Sequence, residues 1–140
     1  MNKKILTEAD AEKLTGEHIA IPHGYTHIGR DAFNYRLDIK SVVIPDSVTE
    51  IGEAAFLTCF ELAHVEIPNS VTKIGDGAFF ACEKLDKITI PDSVKKIGKN
   101  VFDVKSGFNP KTYGVVVCCS KRSYAYRYCK NNWVQVEIED

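Results

Sequence analysis

The chain has little of what most directly announces a location or a chemistry. No apolar run can span a bilayer: the longest candidate, Val115 to Cys119, falls far short of the roughly 20 residues a spanning helix needs. The first residues, Met1-Asn2-Lys3-Lys4-Ile5-Leu6-Thr7-Glu8, offer two lysines and then turn acidic instead of opening the apolar stretch of a secretory leader. A cytoplasmic location is the expectation, and a surface or secreted one if a leader has been removed. Excess charge of one sign is also missing, since 18 basic and 19 acidic residues in 140 leave a formal net charge of −1. With no field to gather phosphates, neither nucleic-acid binding nor attraction to an anionic membrane is expected. The cysteines, at 59, 82, 118, 119 and 129, form an odd set without a CxxC spacing. They read as reduced thiols, not as a disulfide framework or a redox or zinc motif. A nucleophile elbow and a Gly-rich phosphate loop are absent as well, so no catalytic residue is assigned and no enzyme activity is expected.

What is present is a period. Ile-Pro occurs at 21, 44, 67 and 90, always 23 residues apart, and Ile-Gly at 28, 51, 74 and 97. A phenylalanine follows at 33, 56, 79 and 102, preceded by alanine at 32, 55 and 78 and by Val101 in the last copy. Such self-similarity marks a repeat architecture. Within a copy, Leu62, Val65 and Ile67 are spaced i, i+3, i+5, as are Leu85, Ile88, Ile90 and Ile39, Val42, Ile44. The last two of each trio alternate with a non-core position, as a short strand with one buried face requires. The proline, lacking an N–H, ends that strand, and Asp46-Ser47, Asn69-Ser70 and Asp92-Ser93 supply turn chemistry beside it. Val48 and Ile51, like Val71 and Ile74, then point inward from a second leg, where the glycine is read as permitting a tight bend.

No 23-residue unit buries such a face alone, so the units must stack as a parallel solenoid closed by atypical end segments. At the amino end, Thr7 to Leu14 reads as a short helix capped by Thr7, with Asp10 at the capping-box position. Ile19 and Ile21 supply the first strand. At the carboxyl end the period fails after Phe102, and Ser106 to Pro110 makes a loop. A β-rich run from Gly114 to Cys119, a helix from Ser123 to Lys130 with Ser123 as N-cap, and an alternating strand from Val134 to Ile138 follow. One α/β repeat domain is expected: cap 1–20, four repeats over 21–105, and a strand-helix-strand cap over 106–140.

The units resemble those of the BspA-like leucine-rich repeat family, written around Ile-Pro-x-Ser-Val-x-x-Ile-Gly-x-x-Ala-Phe-x-x-Cys-x-x-Leu. The resemblance covers residues 21 to about 105, and the tail from Gly114 is similar to the family's carboxyl cap. Gly24-Tyr25 replaces Ser-Val in the first copy, Arg36 stands where Cys59 and Cys82 stand later, and Lys105 replaces cysteine in the last. The resemblance implies a short right-handed leucine-rich-repeat stack and adhesion or interaction work. It brings no catalytic residues.

Chemistry-bearing side chains fit the repeat better than a site. His18 and His64 share one register two coils apart, too far to hold one ion, and His23 and His27 fall in turn and second-leg registers. No metal or cofactor is assigned. The column Asp46, Asn69, Asp92 is accounted for by turn chemistry. Cys59 and Cys82, in equivalent registers, lie within disulfide reach of each other, though a small buried packing residue explains both. The tyrosines 124 and 128 share a helix face and are read as sealing the last coil. What is left is the outward face of the strand ladder, where alternation exposes His18, Ala20, Ser41, Val43, His64, Glu66, Lys87 and Thr89. Its mixed polarity fits a protein partner. The expected function is non-enzymatic protein–protein interaction, as an adhesin-like protein or a small inhibitor. The alternative is a structural, self-associating repeat unit.

Overall fold

The computed structural model describes residues 2–103 and 114–139. The chain winds between two legs. The first leg carries the three-residue strands β2 (His18–Ala20), β4 (Ser41–Val43), β6 (His64–Glu66) and β8 (Lys87–Thr89). The second carries the two-residue strands β1 (Ile5–Leu6), β3 (His27–Ile28), β5 (Glu50–Ile51), β7 (Lys73–Ile74) and β9 (Lys96–Ile97). The ends add α1 (Glu8–Glu12), β10 (Val116–Cys119), α2 (Tyr124–Asn132) and β11 (Gln135–Ile138). Every pairing is parallel, and within the repeats partners stand 23 residues apart, as in Val42 with Val65 and Ile51 with Ile74. The chain is a short solenoid of parallel strands.

The inward residues are those the period selects. In the third coil Leu62, Val65, Val71, Ile74, Ala78 and Phe79 are all buried, and their counterparts stack above and below. Phe33, Phe56, Phe79 and Phe102 form a continuous column, with ring centroids 5.1, 5.3 and 6.1 Å apart and planes within 2° of parallel. Tyr128 of α2 closes it edge-on at 6.4 Å, which seals the last coil as the sequence predicts. Threonines knit the corner before the second leg: Thr49 Oγ1 donates to the carbonyl of Thr26, and Thr72 Oγ1 to that of Thr49, each at 3.2 Å.

Both helical caps form where the residues place them. Thr7 Oγ1 accepts the Asp10 N–H at 3.1 Å while the Asp10 carboxylate accepts the Thr7 N–H at 3.1 Å, completing the capping box. The Thr7 N–H holds the Asp10 carboxyl below its ordinary range. Ser123 caps α2 by accepting the Tyr126 N–H at 3.1 Å, and Trp133 ends it in the left-handed region at φ 61°. The loop expected over 106–110 and the Lys105 substitution lie outside the described residues.

Two expectations are corrected. The glycines after each second-leg isoleucine are not at bends; a Cβ on Gly29, Gly52 or Gly75 would stand 2.7, 2.7 or 2.6 Å from a backbone atom of the preceding coil. They are glycine because adjacent coils approach too closely for a side chain. The left-handed turns fall two residues later, at Asp31, Ala54, Gly77 and Asn100. Second, the first-leg strands do not make one ladder. One sheet runs β2-β4-β6 and another β8-β10-β11, while the second-leg sheet runs unbroken through β1-β3-β5-β7-β9. The second-leg sheet had no separate signal, because two-residue strands are too short to show alternation.

Candidate interaction surface

Alternation places the eight predicted surface residues as expected: Ile19, Val42, Val65 and Ile88 are buried between flanking residues that face out. All eight are exposed except Ser41, which is half-buried. His18, Ser41 and His64 stand in one register, as do Ala20, Val43 and Glu66. Val43, at the centre of that six-residue block, is 45 % exposed. The His18 ring bonds across the coils to Ser41 Oγ at 2.7 Å, and His64 Nε2 lies 3.6 Å from a Glu66 oxygen on the same strand.

Lys87 and Thr89 are not in that block. They align with Val116 and Cys118 of β10, and through it with Gln135 and Glu137 of β11. Lys87 Nζ bonds Glu137 Oε2 at 3.0 Å, joining β8 to β11 across β10, and this partner holds its pKa above the ordinary lysine value. Glu137 was missed in the sequence because nothing before the fold shows that the final strand aligns with the fourth coil. Between the two blocks lies a cleft of about 410 Å³ with His64 and Glu66 on one wall and Lys87 and Thr89 on the other. Val65, Ile67 and Ile88 line it below.

The other candidates resolve into structure. His23 lies 3.5 Å from Asp46, both well exposed, and His27 lies 3.6 Å from Glu50 and 2.8 Å from Thr26 Oγ1. Among the described residues no three His, Cys, Asp or Glu side chains gather in a way that could hold a metal ion. All five cysteines are buried, and none is in a disulfide among the described residues. Cys59 and Cys82 do not bond to each other; their thiols donate to the carbonyls of Phe33 and Phe56 in the preceding coil, at 3.1 and 3.2 Å. Burial pushes the Cys59 thiol up to about 12 and raises Cys82 further in the same direction. Arg36, in the same register, makes the same kind of reach with a longer arm. Its Nη1 and Nη2 donate to the carbonyls of Ala11 and Leu14 at 3.0 and 2.9 Å, while Asp38 grips the guanidinium at 2.9 and 3.1 Å. The guanidinium holds the Asp38 carboxyl below its usual range.

With two parallel legs, a 23-residue offset and a phenylalanine column in place, the comparison with known families is decisive. A model described as a BspA type leucine-rich repeat region, in six copies, matches residues 6–113. The chain belongs to this family. The match begins in β1 and so takes in part of the segment that the 23-residue period alone leaves to the amino-terminal cap. Among solved structures, this BspA-type chain is similar to a leucine-rich cell surface protein from Faecalibacterium prausnitzii A2-165, with 25 % identity and a TM-score of 0.66. That alignment covers 89 % of the chain but only 32 % of the other protein, so the chain spans about a third of its length. A leucine-rich repeat protein from Bacteroides capillosus ATCC 29799 aligns over 97 % of the chain and 86 % of its own, with 26 % identity and a TM-score of 0.65. The leucine-rich repeat protein of T. pallidum shares the fold at 21 % identity and a TM-score of 0.54, over 89 % of this chain and 71 % of that one. No curated protein matches the chain. Among the described residues no helix is long and apolar enough to cross a membrane.

Proposed function

We propose that the chain is a non-enzymatic protein-interaction module that binds a protein partner through the outward face of its first-leg strands, with Val43 as the apolar centre. The observation that carries this reading is the six-residue block His18, Ala20, Ser41, Val43, His64 and Glu66, held in register on a parallel sheet. A large side chain exposed amid hydrogen-bonding neighbours suits a protein surface better than a polyanion. Lys87 and Thr89 extend the face on the far side of the cleft. The family, and the cell-surface description of one similar protein, support an adhesin-like role displayed outside the cell; a small inhibitor is the other form the same face would take.

A second reading, self-association, is favoured by the position of β11 at the end of its sheet among the described residues and by Trp133 and Ile138, which are 62 % and 47 % exposed. One set of measurements separates the two. Tagged protein and a Val43→Glu/His64→Glu variant, each checked for an unchanged circular dichroism spectrum, are used to recover partners from the source cell. Loss of a specific partner in the variant is the expected result, and equal recovery refutes the face. Light scattering over a hundredfold concentration range, on the order set by the affinity scale of weak association, is expected to report a monomer. Mass that rises with concentration supports the second reading.

A further inference from the structure

On the second-leg side, the third and fourth coils are bonded as tightly as any other pair. β7 and β9 are in register, Gly98 donates to Ile74 at 2.9 Å, Lys95 to Thr72 at 2.8 Å, and Gly77 to Lys99 at 2.8 Å. On the strand side they part. Where the chain enters each first-leg strand, two consecutive N–H groups reach one carbonyl of the preceding coil: Lys40 and Ser41 reach Glu17 at 2.6 and 3.1 Å, and Ala63 and His64 reach Lys40 at 2.9 and 3.3 Å. Among the described residues, Asp86 and Lys87 make no such bond to Ala63, although Val116 makes it to Asp86 at 2.8 Å. Ile67 is only half-buried, while its counterparts Ile21, Ile44 and Ile90 are buried. The ring spacing opens from 5.3 Å between Phe56 and Phe79 to 6.1 Å between Phe79 and Phe102. Three separate features therefore place the same wedge between the third and fourth coils, open at the strands and closed at β7–β9.

We infer that this wedge is a hinge. The fourth coil, β10, β11 and α2 swing as one body about the β7–β9 pairing, and β6 and β8 close into a ladder continuous with both sheets. Closure satisfies the Asp86 and Lys87 N–H groups and the Ala63 carbonyl, whose pairing the fold makes everywhere else along this leg. It also covers Ile67. The opposing cost is a shift of packed side chains between two bodies that already share a core, the kind of small-angle hinge that packed elements accommodate through a few joining residues. The consequence for binding rests on the reading above: closure brings His64 and Glu66 beside Lys87 and Thr89, so two half-faces become one. A protein that touches both halves would favour the closed form by its differential contacts alone.

Amide exchange followed residue by residue tests the hinge without knowledge of any partner. In the unmodified protein the Asp86 and Lys87 amides are expected to exchange at least about tenfold faster than those of Ala63 and His64, which occupy the same places one coil earlier. A Glu66→Cys/Thr89→Cys variant, whose positions are 23 residues apart on β6 and β8, strands that are not paired in this structure, is expected to form a disulfide under mild oxidation and to slow the Asp86 and Lys87 amides by about tenfold. A Val43→Cys/Glu66→Cys control, across strands already paired, should cross-link without changing them. Equal protection of the two amide pairs in the unmodified protein overturns the proposal, as does a variant that cross-links without slowing Asp86 and Lys87 or fails to cross-link while the control succeeds. If the face binds no partner but these amides behave as expected, the hinge stands and only the proposed function falls.

Discussion

Asp31, Ala54, Gly77 and Asn100 occupy one turn position in successive coils, with φ of 59°, 56°, 62° and 56°. Four residue types accept a left-handed backbone there, so the turn is imposed by bonds to the next coil, such as the Ala54 N–H to the Asp76 carbonyl at 2.9 Å, and not by glycine. Two residues earlier the opposite holds. Gly52 has an ordinary backbone but no room, because Ile28 O and Arg30 N would lie 2.7 and 2.9 Å from a Cβ. Gly77→Asn should therefore change stability by no more than about 0.5 kcal/mol, whereas Gly52→Ala should cost about 1–3 kcal/mol as the coils are forced apart. Urea unfolding of both variants checks this; similar losses would mean that backbone freedom, not clearance, governs both sites. The sequence displays the conserved spacing of the Ile-Gly pairs within the chain but not the reason for it. A glycine required for positive φ and one required for close approach look the same until the neighbouring coil is in place.

At the scale of the element, the first-leg strands, the two helix N-caps and the closing tyrosine were readable because each rests on local chemistry or on a period that repeats four times. The end units were harder. Arg36 reads as a simple departure from the cysteine seen at 59 and 82, yet the three side chains share a task, donation to carbonyls of whatever lies beneath. Below Cys59 and Cys82 lies another coil within thiol reach; below Arg36 lies the end of α1, which needs a longer donor with two nitrogens. The guanidinium also lies 5.9 Å from the Phe33 ring, at the open end of the phenylalanine column. Arg36→Cys, which would make the repeat more regular, should thus destabilise the chain by about 1.5–3 kcal/mol, the range for hydrogen bonds from a charged donor. Loss of the α1 signal in amide exchange should accompany it. An unchanged midpoint with α1 still protected would show that the capping box and the burial of Ala11 hold the helix without Arg36.

For the whole molecule, the fold class and the outward residues followed from one period, but the division of the face did not. Nothing in the spacing of Leu85, Ile88 and Ile90 differs from that of Leu62, Val65 and Ile67, so the break between β6 and β8 is visible only in three dimensions. Solenoid stability is roughly a sum of repeat and interface contributions, and an interface with one side unpaired should be the weakest. The buried cysteines report on this, since Cys59 and Cys82 lie on one side of the wedge and Cys118, Cys119 and Cys129 on the other. Burial raises the Cys59 and Cys129 thiols from 9.0 to about 12. Because the folded values are raised, the stability they contribute is complete below pH 9 and is lost as pH climbs towards 12, by about 1.4 kcal/mol per unit for each group. At pH 8 the native Cys59, Cys82 and Cys129 thiols are thus protonated, and all five cysteines are buried, so that unfolding is what exposes them to reagent. Pulsed alkylation at pH 8 across a urea series should label Cys118, Cys119 and Cys129 at lower urea than Cys59 and Cys82. Simultaneous labelling of all five would mean that the β7–β9 pairing and the phenylalanine column couple the two bodies so strongly that the open wedge is no energetic boundary.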